Sequence, residues 1–362
     1  MADEERSTPS AGRRVDLLGM GPEEMELIVK ALGQPAYRVA QIFAWLHRGA
    51  SIDEMTDLPQ PVRDRLKDLA VAGTLSRVET RVAPDGAAKY AFRTRDEHVV
   101  ESVFIPHADH NTVCVSSQIG CAYGCPFCAT GQQGLVRSLT AREIVEQVVQ
   151  VQREQGARRV RNVVFMGMGE PLANYQAVLR AVRLLNHPGG LHIGARHIAI
   201  STCGLPAQIR ELAGEGLQLN LSISLHGATD EVRSQLVPVN RTHPLAEVME
   251  AARYYARVTG RKVSFEYTVV PGVNDSAEQA RLLAGLVRGL PAMVNVIPRN
   301  PRAGGGAPET RPAQTFAARL RELGLEVAVR HSRGAEVVGA CGQLREEMGA
   351  RRPSARGHRD GA

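Results

Sequence analysis

Cys121, Cys125 and Cys128 form a C-x3-C-x2-C run within QIGCAYGCPFCATG. Thiolates are the soft ligands of iron–sulfur clusters, and their number decides what such a cluster can do. A [4Fe–4S] cubane held by three cysteines keeps one iron open to a substrate. A fourth cysteine closes it to everything but electron transfer or a structural role. The plainer alternative is a structural zinc loop, whose signature is two C-x2-C knuckles or a cysteine pair followed by a histidine pair. Here the first gap is three residues, the next cysteine downstream is the distant Cys203, and His107 and His110 precede the run.

Other residues with chemical potential are spread along the chain. Residues 167–171 (GMGEP) carry glycines that let backbone approach a ligand, and Glu170 offers an acceptor for an ammonium or a ribose. Alone, the segment also reads as an ordinary βα turn, and it is not a G-x-G-x-x-G phosphate loop. Ser201, Ser224, Leu225, His226 and Asn300 fall at the ends of strand-like runs. A single Ser or His there is usually a satisfied polar residue, whereas several on one rim facing one ligand make a site. Cys341 (GACGQL) and Cys114, in an alternating run, read on their own as small buried hydrophobes. Cys203 reads as structural, and Glu101 (VVESVFIP) as a solvated strand residue.

These candidates need elements to hold them. From residue 111 the chain alternates strand-like and helical runs, beginning with the strand NTVCVSSQ and the helix TAREIVEQVVQVQREQG, which Thr140 and Glu143 open as a capping box. Six βα units and a last strand, LEVAVRHS, predict an α/β fold: a parallel sheet curled into a partial (β/α)6 barrel. Parallel barrels do their chemistry at the carboxyl ends of the strands. Read there, the cysteine loop, GMGEP, Ser201, Ser224 to His226, Asn300 and the Cys341 segment all fall on one rim. Ahead of the barrel, residues 15–75 read as a small helical domain whose basic residues touch RNA or are simply solvated. Its second helix places Val39, Ile42, Phe43 and Leu46 at three- and four-residue spacings. Residues 76–110 read as a β-extension (KYAFRT, VVESVFIP), 111–344 as the barrel with its terminal cysteine loop, and 1–14 and 345–362 as frayed ends.

The bulk numbers fit that division. A chain of 362 residues can bury a large core with a smaller domain beside it. No apolar run approaches the roughly 18–20 residues of a membrane span, and MADEERSTPS is not a signal peptide. Six cysteines at this length are no disulfide framework, so a reducing cytoplasm is expected. The net charge of +6 rests largely on arginine, whose planar fork suits phosphate, although a solvated basic surface explains the same count. No RRM, KH or zinc-knuckle signature advertises base stacking.

The cysteine spacing followed by βα units resembles the radical S-adenosylmethionine (SAM) superfamily, in which the open iron chelates SAM and delivers one electron to break its S–C5′ bond. GMGEP is similar to that superfamily's glycine-rich strand, which binds the SAM amino group. Within it, VCVSSQIGCAYGCPFCATGQQG, VVFMGMGEPLANY, LSISLHGATDEVRSQLVPVNR, FEYTVVPGVNDS, VNVIPRNP and SRGAEVVGACGQL, taken with YRVAQIFAWLHRG near the start, resemble the RlmN family of RNA methyltransferases. That resemblance implies methylation of carbon 2 of an adenosine in 23S rRNA and in tRNA, with two SAM molecules per turnover. It implies one [4Fe–4S] cluster on Cys121, Cys125 and Cys128, and SAM bound by Gly169, Glu170, Ser201, Ser224, Leu225, His226 and Asn300. Cys341 would carry the methyl group as S-methylcysteine, Cys114 would release the product by forming a transient disulfide with it, and Glu101 would accept a proton. An electron donor such as flavodoxin or ferredoxin, and a monomeric state, are implied as well.

Three positions depart from the family pattern: Cys203 in STCG, Arg299 before NP, and Leu135 after ATG. They bear on the pocket rather than on the reaction. The related Cfr enzymes, which methylate carbon 8, share most of these motifs, so regiochemistry stays open here. A non-catalytic Fe–S RNA-binding protein, and a radical SAM enzyme acting on a small molecule or a protein, are the readings from other classes.

Overall fold

The structure is a computed structural model that describes residues 14–300, 309–330 and 333–344. The segments 1–13 and 345–362, expected to be frayed, lie outside the described residues. All seven expected parallel strands form: Asn111–Cys114, Asn162–Phe165, Ile198–Thr202, Asn220–Ser224, Val263–Val269, Ala292–Pro298 and Val327–Val329. Each pairs with the next in chain order. Their residues alternate: Leu221, Ile223, Phe265, Tyr267, Val294 and Val296 are buried on one face, while Ser222, Ser224, Glu266, Thr268 and Asn295 fall on the other, the face that carries the site.

The sheet does not close. Beyond Asn111–Cys114 it continues as three antiparallel strands, Val99–Pro106, Ala88–Arg93 and Ser76–Val82, to make ten strands in one open order. The outermost departs from the sequence expectation. SRVETRV lies on the edge with both faces largely exposed, so no period-2 apolar pattern marks it. A short helix, Asp230–Leu236, also goes beyond the expected elements, its residues being mostly polar.

The Thr140 capping box forms as expected: the Thr140 N–H donates to Glu143 Oε2 at 2.8 Å, and the helix Ala141–Gln155 lays Ile144, Val145, Val148 and Val149 on the sheet. Three helices precede the sheet, Pro22–Ala31, Arg38–His47 and Gln60–Leu69, and Val39, Ile42, Phe43 and Leu46 are buried among them. The linker that follows is pinned to the barrel by Glu146, whose carboxylate accepts the N–H groups of Thr74 and Leu75 at 2.9 and 3.0 Å. Among the described residues no helix is long and apolar enough to cross a membrane.

Candidate functional site

The cysteine run hangs from a hairpin that was not legible in the sequence, Gln118–Gly120 paired with Leu135–Ser138. Arg137 ties it down, forking onto Asp96 at 2.7 Å and onto Glu143 at 2.8 Å. Gly120 has φ +73°, and a Cβ there would lie 1.8 Å from the Gly134 carbonyl oxygen. The backbones therefore meet where only glycine fits. One residue on, the Cys121 N–H donates to that same oxygen at 2.9 Å, and Cys128 N–H closes a turn onto the Cys125 carbonyl at 3.0 Å.

Cys121, Cys125 and Cys128 line one cavity at the carboxyl ends of the strands. Among the described residues no three His, Cys, Asp or Glu side chains converge to hold a single metal ion. An all-sulfur donor set spread around a cavity fits a multi-iron cluster better than a tetrahedral zinc. Burial pushes the Cys121 thiol up to about 11 and the Cys125 thiol up to about 12. Both are protonated at neutral pH unless a bound cation holds them as thiolates.

The cavity wall is made by the neighbouring strand exits. Gly169 has φ +97°, and a Cβ would meet that of Gln118 at 2.4 Å, which brings the GMGEP backbone against the hairpin. Glu170 is buried: Oε1 accepts from Leu172 N–H at 2.9 Å and Oε2 from Cys203 N–H at 2.7 Å. Burial pushes its carboxyl pKa up against those hydrogen bonds. Ser201, Ser224, His226 and Asn300 line the same cavity. His226 Nδ1 accepts the Thr268 N–H at 2.9 Å, and burial drives its pKa down to about 3. The ring is therefore neutral with its proton on Nε2. Leu225 differs from the others: its side chain is fully buried in the core, and its N–H donates to the Glu266 carbonyl at 3.0 Å.

A second cavity of about 650 Å³, within the range of ligand pockets, adjoins the first. It holds Cys114, and Cys341 faces both. Arg330, Met166, Ile297 and Asn300 are likewise shared walls. Cys114 is buried, and its thiol is pushed up to about 12, chiefly by burial and next by Cys341, with Arg330 opposing. The surrounding protein raises Cys341 too, and Arg330 again opposes. Arg330 is held by Glu266, a buried carboxylate that it meets at 3.2 Å and that Asn295 meets at 2.9 Å.

The Cys341 loop is clamped on both flanks. Ala129 N–H donates to the Gly342 carbonyl at 2.8 Å and Thr130 Oγ1 to the Leu344 carbonyl at 2.5 Å, so the loop is tied to the cluster loop. Asn300 Nδ2 donates to the Cys341 carbonyl at 3.1 Å. From the β-extension, Gly334 N–H donates to Asp85 at 3.0 Å, and Lys89 Nζ reaches the Val338 carbonyl at 3.1 Å. Lys89 also pairs with Glu101 at 2.8 Å, both side chains being almost fully buried. Glu101 is thus no solvated strand residue, and it lines neither cavity: it stands behind Lys89.

Sequence reasoning missed Glu266, Arg330 and Arg233, and Cys203 lines the first cavity instead of standing apart from it. Arg233 is fully buried beneath that cavity. It donates to Asn240 Oδ1 at 2.6 Å and to the Cys203 and Ser224 carbonyls at 2.5 and 3.5 Å. Arg233→Met leaves those acceptors without a donor, and denaturant unfolding should show a loss of about 3 kcal/mol.

Residues 115–284 match the radical SAM superfamily, and residues 15–72 match the ribosomal RNA large subunit methyltransferase N-terminal domain. The chain is 46% identical to the "Probable dual-specificity RNA methyltransferase RlmN" of Moorella thermoacetica, covering 92% of this chain and 97% of that one. It is 42% identical to the "Dual-specificity RNA methyltransferase RlmN" of Anaeromyxobacter dehalogenans, covering 94% of each. Among solved structures it superposes on a radical SAM methyltransferase from Sphaerobacter thermophilus with a TM-score of 0.88 and 44% identity, covering 92% of this chain and all of that one. The open sheet, the three-cysteine cavity and this end-to-end similarity agree: the chain belongs to the RlmN family of radical SAM methyltransferases.

Proposed function

We propose that this protein is a dual-specificity RNA methyltransferase that methylates carbon 2 of an adenosine in 23S rRNA and in tRNA, consuming two SAM molecules per turnover. One observation carries the reading: Cys341 faces both the cavity of the three cluster cysteines and the cavity of Cys114. A thiol so placed can take a methyl group on one side and present it to a base on the other. Cys121, Cys125 and Cys128 would hold a [4Fe–4S] cluster, which when bound would supply the electron that cleaves SAM.

The protein's own residues do the rest. Gly169 and Glu170 approach the SAM amino group, and neutral His226 offers its Nε2–H without adding a charge. Ser201, Ser224, Asn300 and the Leu225 backbone complete the binding set. Cys341 sulfur attacks the methyl of the first SAM and gives up its thiol proton, and Arg330 favours the thiolate it needs. Adenine carbon 2 has no lone pair to attack a methyl, so the methyl carbon would reach the ring while still attached to Cys341. One of its hydrogens would go to the radical formed by cleavage of the second SAM, the resulting carbon would bond carbon 2, and the adduct would give up one electron and the carbon-2 proton. Cys114 then attacks Cys341 sulfur. The S–S bond forms, the S–CH2 bond breaks with its electron pair left on carbon, and a proton completes the methyl group. Glu101 stands outside both cavities behind Lys89, so it would receive the proton lost from carbon 2 only by relay through its Lys89 ion pair and solvent. A cellular reductant supplies two electrons to reopen the disulfide, and a flavodoxin or ferredoxin serves the cluster. The protein acts as a monomer, with residues 15–75 contacting RNA.

Anaerobic incubation of the cluster-loaded protein with SAM, reductant and either RNA, followed by nucleoside mass analysis, tests this reading. The expected product from both RNAs is 2-methyladenosine. Exclusive 8-methyladenosine, or no methyladenosine from a fully loaded enzyme, would overturn it.

A further inference from the structure

Away from both SAM and the thiols, Arg158, Arg159 and Arg161 lead into the strand Asn162–Phe165. His107 and His110, from the turn before Asn111–Cys114, and His197, from the turn before Ile198–Thr202, join them to line one groove of about 600 Å³. These are the amino ends of three adjacent strands, the opposite rim from GMGEP. The three arginines are exposed, while the backbone beneath them is fixed: Arg161 N–H donates to the Asn111 carbonyl at 3.0 Å and Asn111 Nδ2 to the Arg159 carbonyl at 3.1 Å. The groove's one carboxylate, Asp109, is taken by His110 at 2.7 Å, and among the described residues no arginine of the three has an ion pair.

An ordinary solvated surface intersperses both signs of charge. Here Arg158, Arg159 and Arg161 face only one carboxylate, and His107 and His197, whose pKa values are lowered first by burial and then by neighbouring charges, add neutral imidazole donors rather than opposing charge. The groove also shares a wall with the site. His107 lines it and lines the Cys114–Cys341 cavity as well.

We infer that this groove holds the phosphodiester backbone of the RNA whose adenosine enters the Cys114–Cys341 cavity, His107 marking the point where the strand passes from one to the other. The inference rests on the RNA-methylating function proposed above. Guanidinium forks grip phosphate oxygens in pairs, and each neutralised phosphate releases counterions, which makes the affinity fall with salt.

The test is tRNA binding by the cluster-loaded protein across a range of salt, with R158A/R159A/R161A against wild type. At low salt the triple variant should bind about 10- to 100-fold more weakly, and the slope of log affinity on log salt should shrink by about 2–3. In turnover KM should rise with kcat unchanged, while iron content and melting temperature stay as in wild type. The variant R158K/R159K/R161K should recover most of the salt slope. Wild-type affinity and slope in the alanine variant would overturn the inference, as would competition by polyglutamate as strong as by unlabelled RNA. Salt-dependent binding lost in the variant, with no methylation even by wild type, would sink the proposed function and leave the groove standing.

Discussion

Cys114→Ala should stall the enzyme with RNA covalently attached. On the proposed mechanism the adenine, once joined to the methyl carbon, is tied through a methylene to Cys341 sulfur, and only a nucleophile at that sulfur can free it. Cys114 is the other thiol of the same cavity. Removing a nucleophile that acts as part of a unit lowers turnover by about a thousandfold or more. The substitution is otherwise mild, since Cys114 is a small buried group in a strand and alanine nearly fills its place. Denaturing electrophoresis should show a protein–RNA band in Cys114→Ala, none in Cys341→Ala, and none in the double variant. A Cys114→Ala enzyme that turns over near the wild-type rate without that band would refute the release step. Cys341→Ala activity at any substantial level would refute the carrier.

The second large effect is expected at Gly120, which touches no ligand. Gly120→Ala places a methyl 1.8 Å from the Gly134 oxygen and forces φ +73° on a residue with a side chain. The hairpin opens, and with it goes the Cys121 N–H bond to the same oxygen. The left-handed conformation alone costs about 1–2 kcal/mol; the overlap is what no adjustment of a side chain relieves, because the obstacle is backbone. Reconstituted Gly120→Ala protein should therefore hold only a small fraction of the wild-type iron and sulfide. Gly272 supplies the control, with φ +76° and nothing within 4 Å of the methyl group that alanine would add. Gly272→Ala should lose about 1 kcal/mol of stability and load iron fully. Full iron in Gly120→Ala would show that the hairpin does not frame the cluster.

How far the sequence reached depends on what fixes each feature. The seven parallel strands were readable because each is a compact β-rich run set off by an amphipathic helix, and local pattern is enough for that. Ser76–Val82 was not, since an edge strand exposed on both faces carries no alternation. The cysteine hairpin was hidden because its turn depends on Gly120 and Gly134 meeting, a contact between backbones. The rim rule gathered Ser201, Ser224, His226 and Asn300 around one cavity, while Leu225 turned its side chain into the core, as strand alternation at that exit dictates. Glu266 was invisible in FEYTVV because its meaning comes from register: it stands beside Asn295 on the next strand and reaches Arg330 after the last. Glu101 similarly became an ion pair only when Lys89 folded opposite its strand.

The hydrogen bond from Thr130 to the Leu344 carbonyl spans 214 residues of chain. At ordinary rates of protein synthesis that separation is roughly 10–45 s. For that interval the nascent cysteine loop exists without the loop that will lean on it, and the thiols stand unroofed. The Ala129 N–H and the Thr130 hydroxyl thus join two parts of the site that the ribosome makes far apart in time.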